Sequence, residues 1–248
     1  MADRSYLDLA DELTRSLHDV DAGTRVISEH ALARSTGISR PTARAVLQEL
    51  ERRYLVRRVR GAGTFVNRRI DYVIGPHTPP SWSESVRAAG ATPLSRIERV
   101  RRGTASNEVR DRLELRAGAS AVMLMRVNSV DGLPAGLGTS HLPDELLPGL
   151  TEHLGPGTSG GSIYRTLVDH YGLEPVRTWT TASLEIPPPD SAARMGLEAP
   201  EPTWYVESIN RDRASGRPVE LARGWMRADV YRIILQAGAR SPRAGTAR

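Results

Sequence analysis

The sequence predicts an α+β protein in two parts: a small three-helix unit closed by a hairpin, and a larger unit of mostly antiparallel strands with helices between them. Three observations carry that reading. Residues 6–66 spell helix, helix, tight turn, helix and hairpin. Beyond Pro79-Pro80 the pattern changes to long strands that adjoin through tight turns. Positive charge gathers in one short stretch, residues 34–69, where ten arginines stand against Glu49 and Glu51. At 248 residues the chain has room for two such domains.

Tyr6, Leu9, Ala10, Leu13, Leu17 and Val20 recur at helical steps, and Gly23 ends that run. Ser28 caps a second helix, Glu29–Thr36, which Gly37 breaks. Ser39 caps a third, tolerates Pro41 in its first turn, and leads to about Arg53 with Ala45, Val46, Leu47 and Leu50 buried. Tyr54-Leu55-Val56 starts a strand, Arg60-Gly61-Ala62-Gly63 turns, and Thr64-Phe65-Val66 returns. The order is that of a winged helix-turn-helix, assigned to residues 1–70.

Residues 71–80 lack periodicity and end in two prolines, so they are expected to be a linker. Residues 81–238 form the second domain. Helices are expected at Ser81–Ala89, Ala105–Leu113, Ser162–Tyr171 and Asp190–Leu197. Strands are expected at Leu94–Arg102, Ser120–Val130, Leu133–Leu142, Val176–Ile186, Thr203–Arg213, Arg217–Arg227 and Val230–Leu235. Asp131-Gly132 is a strong hairpin turn between two of them. Residues 239–248 are expected to be a disordered tail.

Composition excludes several classes of function. There is no cysteine, hence no disulfide, thiolate metal site or cysteine nucleophile. No apolar run is long enough for a membrane span, and the acidic, amphipathic N-terminus is no secretory signal, so the cytoplasm is expected. The six histidines show no helical metal-ligand spacing, and neither a metal nor a cofactor is expected. Ser159 and Ser162 lack a nucleophile-elbow context, and Gly61-x-Gly63 is too short for a dinucleotide loop. Residues 34–69 carry +8 of a chain total of +5. That concentration on a helix-turn-helix is the footprint of a nucleic-acid surface. Arg40 and Arg44 lie one turn apart, so both can point into a major groove, and a guanidinium can donate two hydrogen bonds to one guanine.

The run Val26-Ile27-Ser28-Glu29-His30-Ala31-Leu32-Ala33, then Gly37-Ile38-Ser39-Arg40-Pro41-Thr42-Ala43-Arg44, then Gly61-Ala62-Gly63-Thr64-Phe65-Val66 resembles the GntR superfamily of bacterial regulators. The resemblance implies DNA contacts from Ser39, Arg40, Thr42 and Arg44, with Arg60, Gly61 and Gly63 at a wing tip entering the minor groove. His30 stands where the family often has an arginine on DNA, and Pro41 removes a donor. The remainder resembles the HutC-like branch, whose effector domain, called UTRA, has a chorismate-lyase-like α+β fold. The match lies in Gly90-Ala91-Thr92-Pro93, Leu113–Gly118, Leu124–Asn128 with Asp131–Pro134, Ser162-Ile163-Tyr164 and Gly216–Glu220. It implies a pocket containing Arg126, Ser162, Tyr164, Glu220 and Tyr231, with Arg177 and Arg223 nearby, and an effector that is often anionic. Asn128 replaces a common second arginine and Gly138 a common acid, so the ligand is expected to differ from sugar phosphates.

The chemistry is coherent with that pocket: Thr158–Ser162 leads into a helix whose amides suit an anion, and Arg126 supplies a charged fork of donors. The expected protein is a homodimeric repressor that grips a double-stranded, near-palindromic operator and releases it on binding a small anionic metabolite. The alternatives are a lyase of small aromatic acids, suggested by the fold analogy alone, and a DNA-binding protein without an effector.

Overall fold

A computed structural model of the chain describes residues 5–59, 61–75, 78–156 and 161–237. The tail expected at 239–248 lies outside them. The chain divides into two compact units, Met1–Arg69 and Ile70–Arg248.

The first unit opens with α1 (Tyr6–Ser16), closed by a capping box in which Ser5 and Asp8 exchange hydrogen bonds with each other's ends of the first turn. α1 stops short of the expected length. The Ser16 hydroxyl takes the Leu13 carbonyl at 2.9 Å, and the chain leaves in tight turns that still pack Leu17 and Val20 on the core. α2 (Glu29–Thr36) is capped by Ser28 and ended by Gly37 at φ 73°. α3 (Arg40–Arg52) is capped by Ser39. Strands β1 (Val56–Val59) and β2 (Gly63–Val66) pair antiparallel. β1 begins two residues later than expected because Tyr54 sits at φ 57°, a left-handed turn that no strand accommodates. Residues 23–26 run along the hairpin's outer edge, with Gly23 donating to Val66, Thr24 accepting from Val66 and Val26 donating to Thr64. Leu9, Leu32, Val46, Leu50 and Val66 meet in one core.

The second unit is built on six strands: β4 (Pro93–Thr104), β5 (Ser120–Val130), β6 (Leu133–Pro143), β7 (Pro175–Glu185), β8 (Thr203–Asp212) and β9 (Pro218–Arg227). They lie in the order β4-β5-β6-β9-β8-β7, every neighbour antiparallel. Helices α4 (Trp82–Ala88), α5 (Asn107–Arg112), α6 (Leu150–His153), α7 (Ile163–Tyr171) and α8 (Pro189–Arg194) complete it, with a 3-10 turn at Asp144–Leu146. Alternate residues of β5 share a face, and Val122 and Leu124 pack there against Ile163 and Leu167 of α7.

The expected linker needs correcting. β3 (Ile70–Ile74) is a strand, paired in parallel with β10 (Tyr231–Leu235), and belongs to the second unit. Ile70, Tyr72 and Ile74 are buried while Asp71 points out to a two-pronged ion pair with Arg232. The alternation was present in the sequence, but the partner that makes it a strand lies at the other end of the domain.

Candidate nucleic-acid interface and effector cleft

In the first unit α3 buries Ala43, Val46 and Leu47 and so turns Arg40, Arg44 and Gln48 outward at four-residue steps. The Ser39 hydroxyl accepts from the Thr42 amide at 3.2 Å and meets the Thr42 hydroxyl at 2.8 Å, which fixes the start of the helix. Arg44 has 63 % of its side chain exposed and reaches Glu29 of α2 at 3.3 Å. The other oxygen of Glu29 takes Arg58 of β1, also at 3.3 Å. Exposed pairs of this kind are worth under about 1 kcal/mol, so phosphates or base edges can compete for both arginines. Arg40 lies 2.8 Å from His30 Nδ1. At the hairpin tip Gly61 has φ 77° and Gly63 φ 122°, and a side chain at Gly63 would meet the Arg25 guanidinium at 3.1 Å. Arg60 lies outside the described residues.

The structure separates the ten arginines by task in a way their order along the chain does not. Arg52 and Arg53 are held by Glu49, and Arg53 also ties α3 to Asp11 of α1 at 2.5 Å. Arg68 donates to the carbonyls of His18 and Val20 behind α1. Arg40, Arg44 and Arg58 share the face where α2, α3 and β1 meet, and Arg25 stands beside the hairpin tip.

In the second unit a cleft opens on the α7 face of the sheet. Arg126, Ser162, Tyr164 and Glu220 all line it, although they come from β5, α7 and β9. Arg126 donates to the Ser140 hydroxyl at 2.7 Å. Ser140 donates to Glu220 at 2.5 Å, and Asn210 donates to the other Glu220 oxygen at 2.7 Å. Burial pulls the Arg126 pKa below the ordinary guanidinium value, and the charge of Glu220 pushes it back up. The Arg126 side chain lies across Gly138, its partner on β6, where a Cβ would come within 3.2 Å of Nε. Ser162 caps α7, its hydroxyl accepting from the Arg165 amide.

The family whose profile is described as "UTRA domain" matches residues 88–232, more than half of the chain. The chain belongs to this family. Residues 5–66 match the profile described as "Bacterial regulatory proteins, gntR family", so the UTRA domain follows a GntR-type helix-turn-helix. Similar proteins include an HTH-type transcriptional regulator of Rhizobium meliloti, 29 % identical over 88 % of each chain. The HTH-type transcriptional repressor PhnF of Mycolicibacterium smegmatis is 28 % identical over 82 % of this chain and 80 % of its own. The crystal structure of PhnF from Mycobacterium smegmatis superposes with a TM-score of 0.64 at 26 % identity, covering 93 % of this chain and 99 % of that one. With both domains matched along nearly full-length relatives, this is a transcription regulator with an effector-binding domain.

Two residues expected in the pocket of this UTRA domain do not line the cleft. Tyr231 of β10 is fully buried and accepts from Trp82 Nε1 at 2.9 Å, so it holds a cleft residue from behind. Arg177 of β7 donates to the Tyr72 hydroxyl at 3.0 Å. Its Nε and Nη1 are buried without a partner among the described residues, as is Oδ1 of Asn210 across the strand. Arg223 is engaged elsewhere, by Glu207 and Glu108. Conversely Ser81, Ser83, Arg87 and Ser95 line the cleft without having been read from the sequence. Their signal is ordinary: Ser81 reads as a helix cap, and it is one, accepting from the Glu84 amide. Asn128 faces inward and accepts from Ser95 at 2.9 Å. The expected Thr158 and Ser159 lie outside the described residues. No helix among the described residues is long and apolar enough to cross a membrane, and none of their His, Asp or Glu groups forms a metal-binding cluster.

Proposed function

We propose that this chain is a repressor of the HutC-like branch that binds a double-stranded operator as a homodimer in the bacterial cytoplasm and lets go on binding a small anionic metabolite. It acts by binding and not by turnover. The observation that carries the reading is the convergence of Arg126, Ser162, Tyr164 and Glu220 on one cleft. Arg126 supplies positive charge, the first turn of α7 supplies amides and the positive end of a helix, and Ser81, Ser83 and Ser95 add hydroxyl groups. Glu220, held by Ser140 and Asn210, accepts from a hydroxyl or amine on the same ligand. Tyr231 supports Trp82, and Arg177 with Asn210 offers unpaired donors and an acceptor behind Glu220. On the DNA side Arg40 and Arg44 read bases while Ser39, Thr42, Arg58, Arg60, Gly61 and Gly63 place the helix and wing.

The test is release of DNA. Arg126→Ala should bind its operator as the parent does and lose the response to the inducing metabolite. Retained response in that variant, or an effector without negative charge, would sink the anion site. Titrating Arg44→Ala against operator duplexes checks the other half. One lost bidentate base contact costs about 1–3 kcal/mol and relaxes the preference at one position.

A further inference from the structure

We propose that Arg87 sets the charge selectivity of the effector cleft, adding at its mouth a second cation that holds one side of the ligand's anionic group while Arg126 holds the other. The inference rests on the reading that this cleft takes the effector. It starts from the charged residues that line the cleft, which are Arg87, Arg126 and Glu220. Arg126 and Glu220 belong to one hydrogen-bonded chain through Ser140, at 2.7 Å on the arginine side and 2.5 Å on the carboxylate side. Their charges offset each other. Without Arg87 the lining would be neutral and would suit a zwitterion or an uncharged ligand as well as an anion. With Arg87 the lining carries an excess of positive charge, and a cleft lined by one sign of charge draws in the opposite one.

α4 places Arg87 for this task. Ser83 and Arg87 stand one helical turn apart and share the side of α4 that lines the cleft. Ser83 is buried and Arg87 exposed, so the guanidinium belongs to the solvent end of the cleft, whereas Arg126 is set into the sheet. The acid placed to hold Arg87 along the helix is Glu84, three residues earlier. Glu84 is drawn away to Arg165 of α7, at 3.3 Å. Arg96 and Arg102 of β4 are likewise tied to Glu98 and Asp144. Arg87 has no hydrogen-bond or ion-pair partner among the described residues. Its fork of donors is therefore open to the oxygens of a carboxylate or a phosphate, and no bond within the protein has to break first.

Inorganic phosphate serves as the probe, and the tryptophan emission of the full chain as the readout. Trp82, Trp179, Trp204 and Trp225 all belong to the second unit, and Trp82 itself lines the cleft, so phosphate on the DNA-binding unit goes unseen. Arg87→Gln should weaken phosphate binding by roughly three- to tenfold at low salt, Arg87→Glu by more, and Arg87→Lys by under about twofold. The loss in Arg87→Gln should shrink as salt is added, because an exposed charge is screened, while the loss in Arg126→Ala persists. Each Arg87 variant should unfold at the parent's urea midpoint, since no bond within the protein is removed. Phosphate binding that Arg126→Ala abolishes and that Arg87→Gln and Arg87→Glu leave untouched overturns the role of Arg87 and leaves the cleft standing. A loss in Arg87→Lys equal to that in Arg87→Gln means that shape and not charge acts there, and overturns it too. A parent whose emission does not respond to phosphate, or responds equally in Arg126→Ala, overturns the anion cleft and Arg87 with it.

Discussion

Gly138 has no side chain, and Arg126 lies across the space where one would be. Adding a methyl group there would put Cβ 3.2 Å from Nε and 3.3 Å from Cζ of the arginine. The arginine would have to give way by a few tenths of an ångström, which strains its bond to Ser140. Gly138→Ala should therefore weaken effector binding by at most about 1 kcal/mol, read by titration calorimetry, with operator affinity unchanged. Unchanged effector affinity would show that Arg126 does not hold the ligand. His141 on β6 gives a second residue-scale expectation. Burial and then Arg223 lower its pKa, with Glu108 pulling the other way, and its Nδ1 is buried without a partner among the described residues. The unfolded chain thus takes up the proton first as the solution is acidified. Stability is flat above about pH 7 and falls as pH drops below the ordinary histidine value toward the depressed one. At about pH 5.5 the loss is at most about 1.4 kcal/mol. Urea unfolding should show His141→Gln losing less than the parent on acidification. At this scale the cleft residues Arg126, Ser162, Tyr164 and Glu220 came from the family resemblance, with the Ser-Gly-rich run before Ser162 adding a helix start that suits an anion. Ser83 and Ser95 were not legible, because a hydroxyl has no pattern until the fold brings it to a ligand. The role of Gly138 was hidden for the same reason, since the arginine that fills its space comes from the neighbouring strand.

Among the elements, those that announce themselves locally were read almost to the residue. Ser39 and Ser28 with their following turns, and Asp131-Gly132 between β5 and β6, need no distant partner to be recognised. β3 carries an alternation but needs β10 to become a strand, and α6 is a single short turn of helix with no signal of its own. β10 also supports the cleft, because its Tyr231 accepts the only indole hydrogen of Trp82. Tyr231→Phe should leave that donor unsatisfied and lower the stability of the second unit by about 1–2 kcal/mol, visible as a lower denaturant midpoint. A midpoint equal to the parent's would mean that Trp82 finds another acceptor.

For the molecule as a whole, charge and fold divide the labour. The segment 34–69 carries +8, and the boundary between the units falls at Arg69 and Ile70. A chain beginning at Ile70 should keep β3 and effector binding and lose all operator binding. One beginning after residue 80 should lose effector binding too, since it discards β3. In the full chain, log affinity for DNA should fall linearly with log salt, as phosphate contacts release counterions. Gel-shift and calorimetric titrations on the two truncated chains check both halves, and operator binding by the chain that starts at Ile70 would refute the division.

The parallel pair β3·β10 also sets an order of events during synthesis. Asp71 and its partner Arg232 are 161 residues apart. At typical bacterial translation speeds the ribosome needs on the order of 10–30 s to travel between them. The DNA-gripping unit is complete before the first of the pair is made, whereas the sensing unit waits for the last. Every nascent copy therefore passes through an interval in which its helix-turn-helix unit is made and its effector-binding unit cannot yet close. A stop codon between Ile70 and Tyr231 would freeze that interval, leaving a helix-turn-helix unit beside a second unit that cannot form its β3·β10 pair.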